Sequence, residues 1–397
     1  MRRIVLVLTI ALAIVLACAG VVLAQGSTTP TTTTPALEQQ SSAPSALSNG
    51  LCSSTKAGPP IPVMTRNLYL GADLDPVFAA SATGDGRAII AATTDAWQNV
   101  KATNFPERAG ALADEIERSQ PLLVGLQEVS IFRTGPPDSI TTGNLTPNSE
   151  DLEFDYLEIL QKELRLRDLH YAPVTITTNT DAENPGFTAP GELKDIRLTD
   201  RDVILARTDV PKLALTNKQE DKHFEARASV PIGTTGHLDI LRGWGSVDVT
   251  LRDQTFRFIN THLEPESTNP IVNDIQVAQG NEILSGPAST SLPVILVGDF
   301  NSRADRTGTA TYNNLIGAGF KDAWSATHPG ELGNTWGHDA DLLNTTVNLT
   351  QRLDLVLFRN NLCAFKADVV GDELKDRTAS GLWPSDHAGV VATLRGE

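Results

Sequence analysis

A small set of polar side chains stands where apolar runs stop, and their types suit one kind of chemistry. Asn67 comes late in the run 61–70, Glu128 follows the run 122–126, His262 ends 256–261, Asp299 ends 294–298, and Asp386 and His387 precede 388–394. Asn301 lies two residues past Asp299. The possible ligands are carboxylate and amide oxygens, and no His/Cys cluster has metal-ligand spacing. Such oxygens favour a hard octahedral cation, Mg²⁺ or Mn²⁺, over zinc. Glu128 is the primary ligand expected, with Asn67 helping to hold the ion or a phosphate oxygen. Hydrolysis of a phosphate ester needs a positioned water, charge stabilisation on the equatorial oxygens and help for the leaving group. Asp299 would orient or deprotonate the water, Asn301 would donate from its amide to the phosphoryl group, and His387 would contact the phosphate or carry a proton. Taken singly, each has a plainer reading: Glu128 a solvated strand end, Asn67 a turn former, Asp386 and His387 a surface turn, His262 a buried satisfied histidine.

Gathering these groups requires strands that share an edge. Short apolar runs bounded by turn residues predict strands at 61–70, 122–129, 171–177, 203–206, 245–251, 255–261, 294–297, 353–358 and 389–394. Amphipathic spacing predicts helices at 107–119, 151–166 and 273–284, while 71–104 and 179–199 read as loop-rich insertions. Asn67, Glu128, His262 and Asp299 fall at strand ends. Asp386 and His387 stand instead at a strand's beginning, so a mixed sheet with that strand antiparallel would bring all of them to one edge.

The whole chain supports such a domain. With 397 residues, 40% hydrophobic and 20% charged, it can bury a sizeable core, which excludes a wholly disordered, collagen-like or multi-pass membrane protein. The net charge of -16 lacks the basic footprint of a tight, non-specific nucleic-acid binder. A phosphate-rich substrate would need cations to approach it.

Residues 1–24 read as a signal peptide: Arg2 and Arg3 precede an uncharged apolar run, and Val22-Leu23-Ala24 suits cleavage before Gln25. The run is long enough that an uncleaved anchor is the alternative, and Val15-Leu16-Ala17-Cys18 loosely resembles a lipobox. Residues 25–60, rich in Thr, Ser, Pro and Ala, read as a disordered linker. Residues 61–397 form the catalytic domain, expected to be a monomer without an obligate protein partner. The expected location is secreted or extracellular, or tethered to the cell surface by the first segment. Cys52 and Cys363 remain after removal of Cys18, either paired in an oxidising compartment or free.

In order and in kind, these words resemble those of the endonuclease/exonuclease/phosphatase superfamily, which includes DNase I-like nucleases, inositol polyphosphate phosphatases and neutral sphingomyelinases. The resemblance rests on Thr65-Arg66-Asn67, Gly125-Leu126-Gln127-Glu128-Val129 and Asn260-Thr261-His262-Leu263. It continues through Gly298-Asp299-Phe300-Asn301-Ser302, Arg352-Leu353-Asp354-Leu355-Val356 and Ser385-Asp386-His387-Ala388. It implies a four-layer α/β/β/α sandwich of two packed mixed sheets flanked by helices. It also implies that Asp386 joins the metal's ligands, directly or through water, that His262 stabilises the phosphate and assists the leaving oxygen, and that Asp354 sets the tautomer and basicity of His387. The family's extra acidic residue two positions after its Asn is absent, Tyr69 standing there.

The leading expectation is an exported, divalent-metal-dependent phosphoesterase that hydrolyses a phosphodiester, of nucleic acid or phospholipid, with activated water. A phosphomonoesterase of the same fold and a catalytically inactive surface binding module are the alternatives. No aromatic hairpin of the kind a membrane-lipid hydrolase would use is evident. Residues 333–341 lack EF-hand spacing and read as a substrate-side hairpin or plain turn rather than a calcium loop. Trp244 reads as a core or edge aromatic, or as an anchor; the sequons at Asn144, Asn344 and Asn348 matter only in a cell that glycosylates them. Substrate choice rests with the loops 71–104, 134–150, 179–199 and 264–273, whose shapes composition does not determine.

Overall fold

The computed structural model describes residues 50–52, 58–144, 146–233 and 236–397; the expected signal segment and most of the linker lie outside them. In chain order the strands are β1 Ile61–Asn67, β2 Leu123–Gln127, β3 Ile131–Gly135, β4 Asp151–Asp155, β5 Tyr171–Ala189, β6 Glu192–Arg207, β7 Leu213–His223 and β8 Ala228–Ile232. Then come β9 Gly236–Ile240, β10 Gly243–Leu251, β11 Gln254–His262, β12 Val294–Asp299, β13 Lys321–Asp322, β14 Asp354–Arg359, β15 Leu362–Val370 and β16 Gly389–Gly396. One sheet runs β15-β16-β1-β2-β6-β3-β4 with β5 added through β6; the other runs β13-β14-β12-β11-β10-β7; β8 and β9 form a hairpin of their own.

Neighbouring residues on the central strands serve different layers. Val63, Leu123, Phe258 and Ile295 meet between the sheets. Met64 and Val124, one residue on, face Trp97, Leu112 and Leu160 of the helices Gly86–Ala102, Phe105–Ser119 and Tyr156–Leu166. Ile259 and Leu296 face Ile283 and Leu315 of Pro270–Ser285 and Thr311–Gly317. Burial on both faces is why these strands read as continuous apolar runs rather than alternating ones. Emptying one such position, as in Phe258→Ala, costs about 3–5 kcal/mol. The result is the expected four-layer sandwich.

The sheet directions create the functional edge. β1 and β2 are parallel with Asn67 opposite Gln127, and β11 and β12 are parallel with His262 opposite Asp299. β14 runs antiparallel to β12 and places Asp354 opposite Asp299, while β16 runs antiparallel to β1 and starts just after His387. Four strand endings and two strand beginnings thus share one edge.

Three local expectations need correction. Residues 71–104 are mostly helical, as Asp75–Thr83 and Gly86–Ala102. Asp85 caps the second of these, and its buried Thr93, Trp97 and Val100 sit at i, i+4, i+7 within an otherwise weakly patterned segment. Residues 179–199 belong to the long β5–β6 hairpin, whose outer half is partly exposed and so lacks a one-sided apolar pattern. The helix expected from 151 begins at Tyr156, because Asp151–Asp155 pairs with β3 and Asp155 accepts from Leu157 N and Glu158 N as the cap. At the far edge Cys52 and Cys363 form a disulfide, beside backbone bonds from Cys52 N to Ala364 O (3.0 Å) and from Ala364 N to Gly50 O (2.7 Å).

Candidate active site

All the expected site residues meet at the shared edge. Asn67, fully buried, is the hub: Nδ2 donates to Glu128 Oε1 (3.0 Å) and to Asp299 Oδ2 (3.1 Å). Its Oδ1 accepts from Tyr69 N (2.9 Å), and the next amide, Leu70 N, donates to Glu128 Oε2 (2.7 Å). Both bonds depend on a tight turn in which Tyr69 has φ 59°, and Glu128 itself has φ 55°. Left-handed non-glycine residues cost about 1–3 kcal/mol each and persist where surrounding contacts over-determine them. Tyr69 is further held by its hydroxyl, which donates to Ala340 O (2.9 Å).

At the end of β12 the chain makes a second constrained turn. A Cβ at Gly298 would lie 2.1 Å from Thr261 O, so only glycine lets β11 and β12 approach there. Asn301, at φ 50°, donates its backbone N–H to Asp299 Oδ1 (2.9 Å) and its amide to Leu263 O (3.0 Å) and His262 Nε2 (3.2 Å). Burial lifts Asp299 to about 6, with Asp354 adding to the rise and His387 opposing it.

Two buried histidines approach the same oxygen, Asp299 Oδ2: His262 Nε2 at 3.5 Å and His387 Nε2 at 3.7 Å. Burial pushes His387 down, but Asp354, Asp386 and Asp299 together raise it to about 10. Its Nδ1 donates to Asp354 Oδ2 (2.8 Å), and Nε2 lies 4.0 Å from Asp386 Oδ1. His262 is driven well below its ordinary value by burial, then by Arg242 and His387. It stays neutral, with Nε2 accepting from the Asn301 amide and Nδ1 3.9 Å from Asp202 Oδ1.

Several partners were not anticipated. Arg242 Nη1 lies 2.9 Å from His262 Nδ1, bringing a guanidinium into the site. Its signal was a lone arginine immediately before a strand that neighbours the Thr-His strand. Asn179 Nδ2 donates to Asp200 Oδ2 (3.1 Å) and Asp202 Oδ2 (2.9 Å), and burial raises both carboxyls. Arg66 pairs with Glu115 at 2.9 Å and donates to His387 O (2.5 Å). Within 333–341, Thr335 Oγ1 accepts from Leu353 N and Asp354 N (3.1 Å each) and Trp336 bridges to His387, so this segment braces the Asp354–His387 pair. Trp244 begins β10 opposite Thr261 and packs, half-buried, on the outer core.

The donor set fits a hard cation. Burial lifts Asp386 to about 6, with Glu128 among the charges that raise it; Glu128 is raised by burial and then by Asp200. Two such carboxylates side by side are relieved by a divalent ion. Asp299, Asp354 and His387 also offer ligand atoms within 4.8 Å of one another, but a protonated imidazole already bonded to Asp354 has no lone pair to give. Glu128, Asp386 and Asn67 therefore suit the ion better.

The sequence profile of the Endonuclease/Exonuclease/phosphatase family matches residues 230–387, a span that holds His262, Asp299, Asn301, Asp354, Asp386 and His387. An endonuclease/exonuclease/phosphatase family protein from Bacteroides thetaiotaomicron superposes with a TM-score of 0.50 at 16% identity, covering 86% of this chain and 99% of its own. An endonuclease/exonuclease/phosphatase from Bacteroides vulgatus gives 0.50 at 13% identity, with 85% and 100% covered. A mannosyl-6-phosphatase from Bacteroides thetaiotaomicron gives 0.49 at 16%, with 84% and 99% covered. No curated protein matches the sequence at a significant level. Asn67 and Glu128 precede the matched span and are tied into it through the Asn67–Asp299 bond. Residues 230–387 thus resemble the Endonuclease/Exonuclease/phosphatase family in sequence, and the chain shares the sandwich fold of those structures.

Proposed function

We propose that this is an exported, divalent-metal-dependent phosphodiesterase that uses an activated water. One observation carries the reading: a single amide, Asn67 Nδ2, bonds both Glu128 and Asp299. It thereby fixes a cation ligand beside the carboxylate that handles the water. Glu128, Asp386 and Asn67 would hold Mg²⁺ or Mn²⁺, which when bound supplies Lewis acidity toward a phosphoryl oxygen. Asp299, poised near 6, accepts the proton of the attacking water. Arg242 and the protonated His387 donate to phosphoryl oxygens as charge grows, and the Asn301 amide joins them by exchanging its bond to His262 Nε2 for one to the phosphoryl group. His387 also holds the proton that the departing oxygen needs, and Asp354 keeps it on the correct nitrogen. His262, being neutral, serves by hydrogen bonding.

Charge balance favours a diester. The cations that face the reacting groups include Arg242 and His387, against the carboxylates Glu128, Asp299, Asp354 and Asp386. A singly charged ester is repelled less than a dianionic monoester. Nucleic acid and phospholipid are the substrate classes that fit this reading. The Cys52–Cys363 bridge supports export, since such bonds persist in oxidising compartments.

The test is one parallel assay of plasmid DNA, sphingomyelin, a phosphoinositide and an aryl phosphodiester, each with Mg²⁺ and with EDTA, for the wild type and Glu128→Ala. Cleavage of a diester that needs the metal and collapses in Glu128→Ala is expected. Full activity in EDTA or in that variant refutes the metal reading, and cleavage of monoesters alone refutes the diester.

A further inference from the structure

Arg108 is wholly buried, and its guanidinium reaches backbone carbonyls rather than a carboxylate. Nε donates to Thr103 O (2.7 Å), Nη1 to Leu68 O (2.7 Å) and Pro384 O (2.9 Å), and Nη2 to Tyr69 O (3.0 Å). Its faces rest on Phe105 at 5.0 Å and Tyr69 at 5.8 Å. Arg66, by contrast, is buried against Glu115 at 2.9 Å, whereas Arg108 forms no ion pair among the described residues. Burying an unpaired charge that cannot lose its proton is costly, so its retention asks for a reason.

The segments it joins supply one. Leu68 and Tyr69 form the turn whose Tyr69 and Leu70 amides hold Asn67 Oδ1 and Glu128 Oε2. Pro384 leads directly into Ser385, Asp386 and His387. Nη1 bridges the two segments by itself, bonding Leu68 O and Pro384 O.

We propose that Arg108 is a positioning residue: one rigid, planar fork that sets the separation of the turn holding Asn67 and Glu128 from the Asp386 segment, and with it the affinity for the cation between them. The proposal rests on the metal reading above. Arg108 itself touches neither ion nor substrate. Lysine keeps the charge but has a single nitrogen on a flexible stem, and it leaves some of the four carbonyls without a donor. Arg108→Lys therefore separates geometry from charge.

Mn²⁺ is the probe. Binding to the purified, substrate-free chain is followed by the EPR signal of free Mn²⁺ for the wild type and Arg108→Lys. The Mg²⁺ dependence of turnover and hydrogen exchange across 66–72 and 383–389 are measured alongside. Expected are a loss of Mn²⁺ affinity of about tenfold or more, kcat at saturating metal close to wild type, and faster exchange in those two segments together. A purely structural residue would lower the melting temperature without moving metal affinity. Unchanged Mn²⁺ affinity in folded Arg108→Lys, or a kcat loss that metal does not rescue, overturns the proposal. Should the variant not fold, exchange of the wild-type chain decides: Mn²⁺ must protect both segments together, and protection of one alone overturns the clamp. If the wild type binds no Mn²⁺, the metal reading falls and this proposal with it.

Discussion

His262 and His387 stand beside one oxygen of Asp299, both buried, yet one is neutral and the other charged. Burial pushes both toward neutrality, so the difference lies entirely in their neighbours. His387 comes at the start of the antiparallel strand β16, within reach of Asp354, Asp386 and Asp299, and is held as a cation. His262 ends β11 against the Arg242 guanidinium and the Asn301 amide, and is held neutral. The same side chain is thus a charged donor on one flank and a neutral hydrogen-bonding group on the other. In a buried site the immediate partner, more than depth, assigns the role.

The contrast is broken most severely at Asp354. Asp354→Asn removes the charge that supports the imidazolium and frees the wrong tautomer, so kcat should fall by about 10²–10⁴. NMR should show the His387 titration moving down from about 10. His387→Ala should lose as much, and the double variant should be scarcely worse than His387→Ala, because residues acting as a unit give non-additive losses. Multiplicative losses would show that Asp354 acts elsewhere.

Arg242→Met tests the other flank. Without the guanidinium the His262 titration should move up, and turnover should fall by about 10²-fold through the lost donor to the phosphoryl group. A His262 that titrates unchanged would mean that burial alone keeps it neutral.

The smallest effect is on stability without metal. Asp299 and Asp386 are raised to about 6 in the fold, so the stability tied to their protonated forms is present below their ordinary values and is lost as pH rises through about 6. His387, raised to about 10, stabilises below its ordinary value, and that contribution is lost as pH rises through about 10. In EDTA the melting temperature of Asp386→Asn should therefore fall less than that of the wild type between pH 4 and 7, by about 2–4 °C. Identical slopes in calorimetry would contradict the raised Asp386.

Some of the unanticipated residues did leave a trace. Arg108 and Glu115 sit on the apolar stripe of their helix with Leu112, at i, i+4, i+7, where polar residues need partners. That spacing marks them as buried, but it cannot say what they touch. The weak pattern of 71–104 and 179–199 hid two helices and a hairpin because those elements bury only part of one face.

By itself the sequence determined the central strands and the residues at their exits. A strand covered on both faces must be apolar throughout, so the polar residue that ends it marks the point where the chain reaches the edge. It also determined the order of the six words and hence the family they resemble. Only the tertiary structure decided which exits meet. Asn67 and Asp299, 232 residues apart, share a hydrogen bond because parallel and antiparallel pairings across two sheets bring their strand ends to one edge. Charge state belongs to the same class of property. It follows from fields acting over a few ångströms, and those distances exist only once the sheets have packed.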